Sequence, residues 1–182
     1  MNLWLRLLIY LLGAPFRAAL APPFDVSRLS MRVWPNDLDV NLHMNNGRYL
    51  TVMDIGRLDL IMRMGLAREA RRCRWMPVLS AAKIRFRREL RLFDKFTLET
   101  RILWWAKTQF VMEHRIIAVS GRNAGHVAAV AYMLGGLYER TGKRFVPVEE
   151  LMRAMNVVAQ SPDITPEIEA FLAAEQALKR TA

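Results

Sequence analysis

The sequence predicts an α+β domain in which an antiparallel sheet wraps around one long central helix. Three observations lead there. A strand-like segment comes first, a long proline-free stretch with apolar residues around most of its helical circumference follows, and strand-like segments joined by short turns fill the second half. At 182 residues the chain suits a single core with appended segments. The expected organisation is an amphipathic, membrane-interfacial N-terminal segment over residues 1–23, the domain over 24–146, and a C-terminal helical extension over 147–182.

In the first strand, Arg28 to Trp34, Leu29, Met31 and Val33 alternate with Arg28, Ser30 and Arg32, the period of two that a half-buried strand requires. Pro35 ends it. Between Met44 and Leu66 the apolar residues Tyr49, Val52, Met53, Ile55, Leu58 and Ile61 spread around the helix, as in a helix buried on several sides. Gly56 in its middle costs about 1 kcal/mol relative to alanine, so its presence points to a close approach between the helix backbone and a neighbouring sheet. "AKIRFRRELRL", "FTLETRILWW", "FVMEHRIIAV" and "HVAAVAYMLGGLYE" are the later strands. The short turns between them, "FDK" and "SGRNAG", call for an antiparallel meander. Trp104 and Trp105 are adjacent on a strand, so only one can face the helix. His114 and His126 fall inside apparent strands and read as structural, since neither has a partner at metal-ligand spacing. Two tail helices are expected, Glu149–Val158 and Pro166–Lys179, the second started by Thr165 as N-cap and Pro166 at the first helical position.

At the front, "MNLWLRLLIYLLGAPFRAALAPPF" is too short and too interrupted by Arg6 and Arg17 to span a bilayer, which takes about 20 apolar residues. Arg6 within the apolar run also departs from a cleavable signal. Two readings remain: an interfacial helix whose arginines reach anionic head groups, and a helix packed on its own domain or on a partner chain. Pro22 and Pro23 mark the junction.

The chain carries 27 Lys plus Arg against 17 Asp plus Glu, a formal charge of +10, and so attracts anions: phospholipid, nucleic acid or a phosphorylated small molecule. No nucleic-acid recognition motif accompanies that charge, and nucleic acid is not the expected partner. Cys73 is the single cysteine; it can form no internal disulfide, it points to a reducing, cytoplasmic setting, and no role is assigned to it.

One loop concentrates hydrogen-bonding groups: "NDLDVNLHMNNGRY", residues 36–49. Read from its residues alone, it is a turn and helix cap, because Asp, Asn and Gly satisfy local backbone groups. Asp37 fits such a role, and Asn45 and Asn46 fit capping.

"DLDVNLHMNNGRYL" nevertheless resembles the D-x-D-x-N-x-H-x-N-N-x-x-Y segment of hotdog-fold acyl thioesterases, particularly the plastid acyl carrier protein enzymes. "VWPNDLDVNLHMNNGRYLTVMDIGR" is similar to the thioesterase-superfamily-member-six-like group, whose animal members are membrane-associated. The resemblance covers about residues 27–140 and implies a hotdog fold and hydrolysis of fatty acyl-CoA or acyl-ACP. It places Asp39 as general base or nucleophile, with Asn41 and His43 orienting or sharing the chemistry. Leu90 stands where plastid enzymes carry a cysteine, and Glu89 matches the acidic residue beside that cysteine. The start of a helix stabilises negative charge through its unpaired N–H groups, so Asn46, Gly47 and Arg48 are expected as oxyanion donors and, with Tyr49, as the substrate-binding set. No cofactor and no metal are implied. Expected partners are the thioester, a second copy of the chain as a homodimer or dimer of dimers, and an anionic membrane surface that would hold the protein peripherally. Non-catalytic acyl binding at a membrane and a dehydratase on the same fold are the alternatives.

Overall fold

The computed structural model describes residues 3–180. Helix α1 (Leu3–Gly13) leads into strand β1 (Ser27–Arg32), a short 3-10 turn, and helix α2 (Asn46–Arg63). After α3 (Leu66–Cys73) come β2 (Trp75–Phe86), β3 (Lys95–Ala106), β4 (Gln109–Ala118), β5 (Val127–Glu139) and the short β6 (Arg144–Phe145). Helices α4 (Val148–Ala154) and α5 (Pro166–Lys179) end the chain. The five long strands lie in the order β1-β3-β4-β5-β2, with every recorded pairing antiparallel. The chain order of strand, long helix and four strands is the one expected from the hydropathy pattern, but only β3, β4 and β5 form a meander: β2 pairs with β5 at the far edge rather than with β3, so the connection containing "FDK" crosses the sheet instead of making a hairpin. Helix α3 was hidden within the charge run around Cys73, the first tail helix is shorter than expected, and His126 lies in the turn before β5 rather than within the strand.

Helix α2 lies in the concave side of the sheet. Val52, Met53 and Ile55 join Leu29, Phe96, Leu98 and Ile116 in one buried cluster. At Gly56 the approach is so close that a Cβ would meet Thr100 Oγ1 at 2.4 Å and Leu98 Cδ2 at 2.7 Å; this is why the helix tolerates a residue of poor propensity there. Helix α5 covers part of the opposite face, where Ile168 and Phe171 pack with Val111 and Leu134, and Trp104 lies against them. Trp105 instead lines an apolar cavity beside Leu60, Met64 and Met112, so the two tryptophans divide between the faces as alternation requires.

Helix α1 packs on its own domain, with its arginine turned inward. Arg6 Nη2 meets Asp37 Oδ2 at 2.5 Å with both side chains 4% exposed, and Arg17 Nη2 meets Asp59 Oδ1 at 2.6 Å. Asp59 also accepts from Ser27 Oγ and Arg63 Nη1. The arginines expected to reach lipid phosphates therefore neutralise carboxylates of the protein, because buried charges persist when paired and hydrogen-bonded. Tyr10 donates its hydroxyl to the Ser30 carbonyl, and Arg6 donates to the Arg32 carbonyl at 3.4 Å. Two successive outward carbonyls of β1 are thereby occupied by α1. Leu5, Leu8, Ile9, Leu12 and Phe16 are left exposed. Among the described residues no helix is long and apolar enough to cross a membrane.

Candidate active site at the start of the central helix

The loop ahead of α2 is built from local hydrogen bonds. Asp37, 3% exposed, accepts the Trp34 N–H and caps the 3-10 turn, while its own carbonyl accepts the Asn45 N–H at 2.8 Å. Asp39 Oδ1 accepts the N–H groups of Asn41 at 2.9 Å and His43 at 3.4 Å, so this carboxylate folds the bend that contains it. Its Oδ2 has no hydrogen-bond partner among the described residues. Leu42 takes φ 59°, a left-handed conformation that a branched side chain adopts at a cost. On either side of Asn41, which is itself exposed, Val40 and Leu42 expose 95% and 70% of their surface.

His43 and Glu89 meet here. His43 Nε2 lies 3.2 Å from Glu89 Oε2, while the other carboxylate oxygen takes Arg91 Nη2 at 2.7 Å. His43 and Arg91 also form an isolated β-bridge, and the Met44 N–H donates to the Leu90 carbonyl at 2.8 Å. The loop is thus stitched to the segment between β2 and β3. Asn123, from the β4–β5 turn, donates its Nδ2 to the Glu89 carbonyl at 2.9 Å. Arg91 and Asn123 did not stand out in the sequence; their partners lie on other turns, and only folding brings them in.

The first turn of α2 completes the site. Asn45 is the N-cap, its Oδ1 accepting the Gly47 N–H at 2.9 Å, and the Arg48 N–H donates to the Asn45 carbonyl at 2.8 Å. Of the three N–H groups expected as oxyanion donors, Gly47 and Arg48 are therefore engaged within the cap, whereas the N–H of Asn46 has no recorded partner among the described residues. Tyr49 is buried and packs edge-on to Phe86 at 5.1 Å between centroids. Burial pushes its phenol up to about 12, opposed by the Leu90 N–H and aided by the Glu89 charge, so Tyr49 stays neutral. Among the described residues no group of three His, Cys, Asp or Glu side chains is placed to hold a metal ion.

The model of the thioesterase-like superfamily matches residues 33–167. The chain belongs to that superfamily. Protein THEM6 of Xenopus laevis is 39% identical over 87 residues, covering 48% of this chain and 42% of that protein. Protein THEM6 of Danio rerio is 39% identical over 99 residues, covering 54% and 48%. This superfamily member thus spans about half the length of those relatives, or less. Among solved structures, the YbaW probable thioesterase of Escherichia coli superposes with TM-score 0.64 at 21% identity, covering 70% of this chain and 95% of that one. That likeness establishes the hotdog fold.

Proposed function

We propose that this superfamily member hydrolyses fatty acyl thioesters carried by coenzyme A or acyl carrier protein. The observation that carries the reading is that the loop ahead of α2 ties Asp39 to His43, whose backbone N–H the Asp39 carboxylate accepts, and pairs the His43 ring with Glu89. Asp39 Oδ2 serves as general base toward water, or attacks the carbonyl carbon directly. Asn41, whose N–H already bonds Asp39, orients that carboxylate, and His43, polarised by Glu89, carries protons to the leaving thiolate. The Asn46 N–H, at the positive end of α2, faces the oxyanion, and rotation of the Asn45 side chain would release the Gly47 N–H to join it. Arg48 and Tyr49 border the acyl group.

The acyl chain has apolar space beside α2. A groove lined by Leu58, Ile61, Val78 and Leu79 shares Ile61, Phe110 and Met112 with the apolar cavity under α4, which Met152 and Met155 also line. Leu60 is 14 residues beyond Asn46, roughly 21 Å along the helix, so the arrangement favours long chains. The methionines allow the lining to adapt.

Two associations belong to this reading. Strand β2 has 12 residues and an outer edge along which Met76 and Leu79 are exposed; pairing of two such edges makes a homodimer. The outward apolar face of α1 rests on a bilayer surface peripherally. That face also favours the second reading, a membrane-held acyl-binding protein without turnover.

Thiol release from a panel of acyl-CoA and acyl-ACP substrates decides between them. Turnover that falls at least ~100-fold in Asp39→Asn supports hydrolysis, and a folded wild-type protein with no turnover above that variant excludes it. A change in acyl unsaturation without free thiol would assign a dehydratase instead. For the bilayer contact, Leu8→Glu/Leu12→Glu should abolish flotation with anionic vesicles; unchanged flotation rules α1 out.

A further inference from the structure

The basic residues at the end of β2 form a built cleft. Arg85, Arg87, Arg88 and His126 line it with Phe86 and Gly125, around an empty volume of about 1040 Å³ that includes its open mouth. Consecutive residues of a regular strand point to opposite faces. Here the N–H groups of Arg87 and Arg88 both donate to the Ala128 carbonyl, at 2.8 and 3.1 Å. The doubled pairing interrupts the alternation just past the strand end, as a bulge does, and both side chains reach the same cleft.

Its charge is uncompensated. Arg28, Arg72, Arg91, Arg101 and Arg144 each pair with a glutamate, whereas Arg85, Arg87 and Arg88 have no recorded carboxylate partner among the described residues. The adjacent acid, Glu89, is turned to His43 and Arg91. Crowded guanidinium groups repel one another, and a multiply charged anion between them relieves that repulsion while using their planar donor forks.

The cleft also adjoins the candidate active site. Phe86 meets Tyr49, and Asn123, on the turn that supplies Gly125 and His126, holds the Glu89 carbonyl. We infer that this cleft binds the phosphates of a nucleotide-bearing thiol carrier, coenzyme A. Arg85, Arg87 and Arg88 grip the phosphate oxygens, and Phe86, 40% exposed, offers a ring to the base. A concave site with three clustered guanidinium groups suits compact, multiply charged phosphates better than the single phosphodiester of a protein carrier. The carrier's identity rests on the hydrolase reading; the phosphate chemistry does not.

Calorimetric titration of the full chain with free coenzyme A, 3′,5′-ADP and pantetheine tests this, comparing wild type with Arg85→Ala/Arg87→Ala/Arg88→Ala. Arg71→Ala/Arg74→Ala, in a second basic cleft at the far end of β2, is the control. The triple variant should lose ~100-fold in affinity for coenzyme A and 3′,5′-ADP, on the order of two charge-assisted contacts, with pantetheine and the control unaffected. Equal coenzyme A binding in both proteins overturns the inference, as does a loss confined to holo acyl carrier protein or to phosphatidylglycerol vesicles. Arginine-dependent binding of coenzyme A without thiol release sinks hydrolysis and leaves the cleft standing; thiol release with unchanged KM in the triple variant does the reverse.

Discussion

His43 Nε2 lies 3.2 Å from Glu89 Oε2, joining the loop ahead of α2 to the connection between β2 and β3. In the proposed reaction this contact orients the imidazole toward the departing thiolate. Glu89→Gln keeps the shape and removes the charge. It should lower kcat for thiol release by ~10-fold with little change in KM, and its melting temperature should stay near that of wild type because the side chain is about a third exposed. A normal kcat in this variant would leave Glu89 as scaffolding.

His114 gives a stability prediction. It is fully buried, its Nδ1 lies 3.0 Å from Thr100 Oγ1, and its Nε2 has no hydrogen-bond partner among the described residues. Burial, with the Arg57 charge adding to it, lowers its pKa to about 3 from an ordinary 6.5. Between those values the unfolded chain binds a proton that the folded one refuses, so stability falls as pH drops through this window, by up to about 1.4 kcal/mol per pH unit. His114→Gln should flatten the slope of unfolding free energy between pH 4 and 6, measured by urea titration. An unaltered slope would show that other groups set the acid sensitivity.

The Arg6–Asp37 pair gives a third. Arg6→Ala strands a carboxylate that is almost wholly buried, and the expected destabilisation is about 3–5 kcal/mol. Arg6→Met/Asp37→Leu removes both charges and should recover part of that loss. If the double variant is as unstable as the single one, the Trp34 N–H that the Asp37 carboxylate accepts matters more than the ion pair.

Gly56→Ala places a methyl group against Thr100 and Leu98 and should cost about 1–3 kcal/mol by overpacking. Adding Thr100→Ser should not relieve it, since Oγ remains; Thr100→Ala, which removes the nearer contact, should relieve part of it. Denaturant midpoints of the four proteins check this.

Much of this architecture was legible because periodicity is local. The alternation of Leu29, Met31 and Val33 and the all-round apolar character from Tyr49 to Ile61 are written within a few residues, and even the reason for Gly56 followed from its poor helix propensity. What escaped depends on partners far apart in sequence. Arg6 and Asp37 are 31 residues apart, and nothing near Arg6 shows that a carboxylate rather than a phosphate awaits it. Arg91 and Asn123 reach the candidate site only once β2–β3 and β4–β5 turns converge. The motif from Asp39 to Tyr49 marked the loop, but not that Asn45 would engage the Gly47 and Arg48 N–H groups on which the oxyanion expectation rested.

The sheet's two rims differ. Along β1 the hydroxyl of Tyr10 and the guanidinium of Arg6 occupy backbone oxygens that another strand would need, while the 12-residue β2, paired with β5 on its inner side, has no second strand on its outer edge among the described residues. A ribbon that accepts a neighbour on one side only cannot propagate. In the proposed homodimer, joined rim to rim about a twofold axis, the β2 edges would cover each other and the guarded β1 edges would face outward, which opposes growth into longer β assemblies.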